Sequence, residues 1–373
     1  MLRLLIPTIA ALLLLASCGG GDLEGGLAAA TRRDWSVASS KLQEPAESGN
    51  ADAQYYLGYM YDTGNGMRHD ARLAAQWYEK SAAQGNARAQ YGIGTLYRKG
   101  DGVAQNDKVA FGWFEKAANQ DHADAQYELG AMFADGRGVA VDDKLSLKWI
   151  KKAATGGNPA AQAILAGRYY RGDGLPKDLK QAHLWTDKAA RQGNAQGQAL
   201  LGALYRDGEG VAQDYKLALQ WFERAAKQGD AKGQIELANL YQKGLGAPAD
   251  TAKATTLYQT AAKQGDPTAL TVLGNRYEIG DGFTQDIELA RNMYKQAAGK
   301  YYGPAFTSIG KLFAGGIGVT KDYVEAYKYW RLGENAGDDN AKKLRMSIES
   351  KLNPDQVSYA NAAAANWTPA MEK

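Results

Sequence analysis

The chain has 373 residues, with 44 Lys and Arg against 41 Asp and Glu. Its net charge of +3 sets up no field that would draw nucleic acid or an anionic surface. Apolar residues at 45% and charged residues at 23% describe a folded protein, but the length exceeds what one compact core normally serves. Three histidines (His69, His122, His183) and the single Cys18 leave little for a metal cluster and nothing for an internal disulfide, so neither metal nor cofactor is expected.

At the N-terminus, Arg3 precedes an apolar run from Leu4 to Ala16. The run is short of the ~20 residues that span a bilayer, and it reads as a secretory signal. It ends in Leu15-Ala16-Ser17-Cys18 followed by three glycines, which resembles the lipobox of bacterial lipoproteins. The resemblance implies a signal peptide over 1–17 and lipidation of Cys18 as the first residue of the mature chain. Gly19 behind the cysteine is similar to the pattern sent to the outer membrane rather than kept at the inner one. Residues 18–33, rich in Gly and Ala, are expected to form a flexible tether.

From 34 onward the chain repeats itself. Blocks of 36 residues starting at 51, 87, 123, 159, 195, 231, 267 and 303 fall into register without a gap and end at Asp338. Gly64, Gly100 and Gly136 open one column that continues to Gly316, and Gly66, Gly102 and Gly138 another that continues to Gly318. Tyr61, Tyr97 and Phe133 begin an aromatic column that closes at Phe313. Each block predicts two helices. Asn50, Asn86, Asn158, Asn194, Asp230 and Asp266 are caps for the first helix, with His122 and Tyr302 departing from the pattern. Ala53, Leu57 and Tyr61 then fall on one face, at spacings of three to four residues. The Gly-x-Gly pair stops the helix, and Asp70, Asn106, Asp142 and their equivalents cap the second. Ala74, Trp77 and Ala82 set that helix's inner face, and the tryptophan column (Trp77, Trp113, Trp149, Trp185, Trp221) is expected in the core.

Asp34, Ala38, Leu42, Ala46, Gly49 and Asn50 align with Asp70, Ala74, Tyr78, Ala82, Gly85 and Asn86. Residues 34–50 therefore read as a capping half-repeat, a second helix interrupted by Pro45. At the other end, 339–373 read as capping helices: a first helix without Gly-x-Gly, then one opened by Asn353-Pro354. A single hairpin has only one face to bury against, so stability must be collective.

These blocks, typified by the run from Ala87 to Val103 and closed by Trp113-Phe-Glu-Lys-Ala-Ala118, resemble Sel1-like repeats, the 36-residue relatives of tetratricopeptide repeats. The resemblance covers 51–338. It implies an all-α, right-handed α/α superhelical solenoid of eight helix-turn-helix repeats, whose concave side is lined by first helices and binds partners. Some cysteine-rich members have been associated with β-lactam binding. Here Ser308 and Lys311 form the one Ser-x-x-Lys, inside a helix and without companion motifs, so no catalytic set is expected. Loops such as 62–66 and 135–138 are turn chemistry rather than calcium loops, because glycines stand where oxygen ligands would be needed.

First-helix positions expected to face the groove are Arg98, Lys99, Arg168, Arg171, Arg206, Lys243 and Arg276, with Tyr55, Tyr56, Tyr59, Tyr91 and Tyr127 toward the N-terminal repeats. The reading that follows is a non-catalytic scaffold for envelope proteins, lipid-anchored to the outer membrane on its periplasmic side. Related solenoid lipoproteins imply a place in envelope or exopolysaccharide-export assembly. An acidic envelope polymer such as polysaccharide or peptidoglycan is the alternative ligand, a hydrolase the third reading, and nucleic acid is not expected.

Overall fold

The computed structural model describes residues 20–372; Cys18 and the expected signal peptide 1–17 lie outside the described residues. Among the described residues every regular element is helical, and none is long and apolar enough to cross a membrane. The chain divides into two compact units, one ending at Lys177 and one beginning at Asp178.

The first unit holds α1 (Gly20–Thr31), α2 (Trp35–Glu47), α3 (Ala51–Thr63), α4 (Ala71–Ala83), α5 (Ala87–Lys99), α6 (Asp107–Ala118), α7 (Ala123–Asp135), α8 (Asp143–Thr155) and α9 (Pro159–Arg171). The second holds α10 (Leu179–Arg191), α11 (Ala195–Asp207), α12 (Tyr215–Lys227), α13 (Ala231–Lys243), α14 (Thr251–Lys263), α15 (Pro267–Ile279), α16 (Ile287–Ala298), α17 (Gly303–Gly315), α18 (Tyr323–Asn335), α19 (Asp339–Ile348) and α20 (Pro354–Ala365). Asn50 and Asn86 cap α3 and α5 by accepting from Ala53 N and Ala89 N, both at 3.0 Å. His122, expected to break this pattern, also caps: its Nδ1 accepts from Ala125 N at 3.3 Å. Tyr302 makes no side-chain cap.

The hairpin loop is where glycine is indispensable. Gly100 terminates α5 at φ 74°, and Gly102 follows at φ 70°. A Cβ on Gly102 would stand 2.3 Å from the carbonyl of Ala71, at the start of the preceding second helix. The second glycine therefore joins one repeat to the last as well as making the turn.

Each hairpin closes over a small core. Ala53, Leu57 and Met60 of α3 are fully buried, with Ala74, Tyr78 and Ala82 of α4 almost so. Burial of each large side chain contributes about 1.5–3 kcal/mol. The second-helix column that fills the core is Tyr78, Phe114, Ile150, Phe222, Tyr258, Tyr294 and Trp330, one residue after the tryptophans. The tryptophans themselves are only half-buried, which corrects the core assignment. Trp77, Trp113 and Trp149 instead pack from outside onto the preceding core. The helical period explains the shift: a residue step of ~100° carries the neighbouring side chain inward and leaves the indole at the seam.

A column that composition did not flag is polar. Gln54, Gln90, Gln126 and Gln162 in the first unit are buried and donate to the last carbonyls of the preceding helix, at Ala46, Ala82, Ala118 and Ala154. Gln84 and Gln120 donate in turn to Gln54 and Gln90 at 2.8 Å. Carbonyls left over at a helix end would be costly to bury unpaired, and these amides satisfy them across the repeat boundary.

The expected tether is partly structure. Residues 20–31 form α1, whose Ala29 and Ala30 join a core with Leu42 and Leu57. A Cβ on Gly26 would meet Leu42 at 2.6 Å, as one on Gly58 would meet Tyr78 at 2.6 Å. So α1 serves α2 as a first helix joined by a shorter loop, and its Gly and Ala residues, expected to be slack, build a close helix contact. Pro45 does not interrupt α2, which runs to Glu47. At the far end Asn353 and Gln356 form a capping box that opens α20, and Trp367 packs edge-on against Phe306 at 5.0 Å.

Candidate functional site

Within each unit, successive first helices pack on one another, as α3 on α5 and α11 on α13. Their exposed stripe is the surface on which partner residues were expected. In the first unit it is aromatic. Tyr55 and Tyr59 are half-buried with ring centroids 6.4 Å apart, and Trp35 lies 5.3 Å from Tyr59. Tyr91 on α5 stacks on His122 at 5.0 Å, and Arg88 lies over Tyr55 at 5.9 Å. Burial raises the hydroxyl pKa of Tyr55 and of Tyr91, so both are neutral hydrogen-bonding groups on apolar bodies. Tyr56 turns down into the core shared with α1, and Tyr127 is half-buried on α7.

The arginines are placed differently from the expected basic strip, because most are bonded within the protein. Arg98 meets Glu128 of α7 at 3.3 Å. Burial pushes the Glu128 carboxyl up, while Arg98 pulls it down. Arg168 reaches Ser146 at 3.4 Å, and Arg171 pairs with Asp173 at 2.5 Å. In the second unit Arg206 is held by Asp207 at 2.6 Å and by Glu236, and the bond to Asp207 is the main cause of its raised pKa. Arg276 does not face solvent at all. It is 3% exposed, donates to Thr255 Oγ1 at 2.6 Å and lies over Tyr258 at 5.3 Å. Its position belongs to the buried column of Met60, Leu96, Met132, Leu204, Leu240 and Leu312, a register clue that helix-face counting overlooked. Lys99 and Lys243 are exposed.

Two shallow hollows gather several of these residues. One of about 350 Å³ has Arg168, Arg171 and Asp173 on its walls; another of about 440 Å³ has Arg206, Glu236 and Lys243. Acid and base line both, so neither concentrates charge of one sign. Glu128 and Glu236, missed from sequence, sit at one place in their repeats, as Arg98 and Arg206 do, and that register was the available signal. Ser308 is half-buried beside an exposed Lys311 on α17. Among the described residues no three His, Cys, Asp or Glu are grouped to hold a metal ion.

A family model described as Sel1 repeat matches this chain at 51–86, 87–122, 123–158, 159–194, 195–230, 231–266, 267–300 and 308–338. The crystal structure of c5321, described as a protective antigen present in uropathogenic Escherichia coli strains displaying an SLR fold, is similar at 32% identity and a TM-score of 0.62. The match covers 87% of this chain and 71% of that one. A Sel1 repeat protein from Oxalobacter formigenes is similar at 32% identity and a TM-score of 0.57, covering 64% of this chain and 96% of its own. No curated protein sequence matches the chain.

Proposed function

The chain belongs to the Sel1 repeat family, whose members are in general protein-interaction scaffolds, and from that premise we propose a non-catalytic scaffold of the bacterial envelope, anchored to the outer membrane through Cys18 and facing the periplasm. The observation that carries this reading is the aromatic first-helix stripe of Tyr55, Tyr59 and Tyr91 in the first unit, with Arg98 of that unit and Arg206 of the second each already paired to a carboxylate. Half-exposed tyrosines give a partner segment large apolar contact and a hydroxyl to bond, at little cost in side-chain order. An acidic polymer would need uncompensated cations in a row, and Arg98 and Arg206 have carboxylates at hand. Binding is then a matter of surface complementarity, with no bond made or broken. Assembly of envelope or exopolysaccharide-export complexes is the setting proposed for it.

The test is affinity purification of the full-length lipoprotein from detergent-solubilised envelope. Proteins that co-purify at stable ratio, and are lost with Tyr55→Ala and Tyr91→Ala, support the scaffold. Retention on acidic polysaccharide alone, abolished by Arg168→Glu with Arg206→Glu, would replace it with the polymer reading. Cys18→Ala is expected to remain unlipidated and leave the membrane fraction; normal acylation of that variant would remove the anchor from the proposal.

A further inference from the structure

In the first unit the half-buried Trp77, Trp113 and Trp149 close crevices between successive second helices. Trp113 lies on the core of the preceding hairpin together with Ala82 and Ile93, beside Tyr97, whose hydroxyl donates to Glu79 at 2.9 Å. A cation three residues on lies over each indole: Lys80 over Trp77 at 4.2 Å, Lys116 over Trp113 at 4.1 Å, Lys152 over Trp149 at 4.9 Å, Lys188 over Trp185 at 4.1 Å and Arg224 over Trp221 at 4.4 Å. Plug and lid come from the same helix.

At α14 the plug and lid are missing while the receiving wall remains. Leu257 stands in the tryptophan column and Thr260 in the cation column. Ala226, Leu237 and Tyr241 occupy the places of Ala82, Ile93 and Tyr97, and Tyr241 donates to Glu223 at 3.1 Å as Tyr97 does to Glu79. Trimming extends along the helix: Ala252 replaces the Arg or Lys of the five preceding repeats (Arg72, Lys108, Lys144, Lys180, Lys216). The result is a cleft of about 580 Å³ between α12 and α14, lined by Ala226, Leu237, Tyr241, Thr256, Leu257 and Thr260 and by the charged Lys253, whose Nζ lies over the Tyr241 ring at 5.2 Å and must swing aside to admit a ring. That volume is within the range of small-ligand sites.

We propose that this cleft receives a tryptophan side chain from a partner protein. The occupant is indicated by the chain itself, since three sibling crevices of the same construction, at Trp77, Trp113 and Trp149, are filled by an indole. An indole entering here would be covered by the apolar faces of Leu237, Tyr241 and Leu257 and would regain the packing the intrinsic plug supplies elsewhere. The partner class rests on the scaffold reading, but the cleft lies on the second-helix side and is independent of the tyrosine stripe.

The probe is N-acetyl-5-fluorotryptophanamide, followed by ¹⁹F NMR against the full-length protein in detergent, so that the protein's own tryptophans stay silent. Saturable binding is expected with wild type, weakened about tenfold or more by Leu257→Trp with Thr260→Lys, which restores the intrinsic plug and lid. N-acetyl-leucinamide is expected not to displace the probe. Should the double variant fail to fold, Thr256→Lys blocks the exposed mouth with the residue that Lys148 and Lys328 supply at the same place. No saturable binding to wild type, or equal binding to a folded plugged variant, overturns the proposal. Because the probe needs no partner, its failure is distinct from failure to recover co-purifying proteins.

Discussion

Arg98 Nη1 on α5 lies 3.3 Å from Glu128 Oε2 on α7, and the same two places three repeats later hold the Arg206–Glu236 pair of α11 and α13. The contact joins first helices of consecutive repeats on the stripe proposed for partners. The Glu128 side chain is 9% exposed against 26% for Arg98, so the cost of losing a partner is asymmetric. Arg98→Ala leaves a desolvated carboxylate without its ion-pair partner and is expected to destabilise by about 1–3 kcal/mol. Glu128→Gln removes the charge that burial penalises and keeps an amide oxygen that can accept from Arg98, at under about 1 kcal/mol. Urea midpoints of the two single variants and the double variant at pH 7 check this; equal costs would contradict the asymmetry.

The two loop glycines predict unequal sensitivity. Gly100 needs chiefly its left-handed backbone, which asparagine tolerates at modest cost, and a Cβ there would meet Gln105 Cβ at 3.1 Å, a contact relieved by a shift of a few tenths of an ångström. Gly102 needs the same backbone and also space, since its Cβ would overlap the Ala71 carbonyl. Gly100→Asn is expected to cost about 1 kcal/mol, and Gly102→Asn at least about 3 through added overpacking. Thermal unfolding of both variants measures the difference.

His122 makes the third repeat pH-sensitive. Burial lowers its pKa, with Asp124 opposing and Arg88 reinforcing the shift, against about 6.5 in an unfolded chain. The folded protein binds the proton less tightly. Stability is therefore complete above the unfolded value and is lost as pH falls through it toward the folded one. Protonation also turns the Nδ1 that accepts from Ala125 N into a donor, removing a cap worth about 1 kcal/mol. Wild type is expected to lose stability between pH 7.5 and 5 relative to His122→Asn, which restores the residue found at Asn50, Asn86 and Asn158. Parallel pH profiles would show that His122 does not cap in its neutral form.

Repeat register was legible because Gly-x-Gly and the Asn and Asp caps are forced by backbone geometry and recur every 36 residues. What faces where was less so. Counting helix faces put Trp77 in the core and Arg276 on the stripe, because both residues are amphipathic and their stems follow apolar surface wherever the head goes. Residue type at α1 misled for a related reason: Gly26 and Ala29 read as a tether until Leu42 is seen lying against them. The Arg98–Glu128 and Arg206–Glu236 pairs were hidden because each spans two repeats, and the cleft at Leu257 because a packing-conservative replacement in the sequence is a missing volume in space.

Arg276 is the buried position where substitution should help. Six sibling repeats place Met or Leu there, and the guanidinium makes the Thr255 bond at 2.6 Å, a 3.7 Å approach to Asp281 and a contact over the Tyr258 ring at 5.3 Å. Its Nη2 is buried without a hydrogen-bond partner. The neighbouring Tyr258 hydroxyl, its pKa pushed up to about 12 by burial, bonds to Asn239 at 2.5 Å and Gln242 at 3.2 Å, so it does not depend on the arginine. Arg276→Leu keeps apolar volume in the buried column, gives up the guanidinium's place over Tyr258, discards the desolvated charge, and is expected to stabilise by about 1–2 kcal/mol. Arg276→Ala discards the stem as well and is expected to destabilise by about 1–2 kcal/mol through the void it leaves. Urea denaturation of the two variants gives opposite shifts if the charge is a burden and the stem is the useful part; a destabilised leucine variant would instead make the guanidinium a required member of the α14–α15 core.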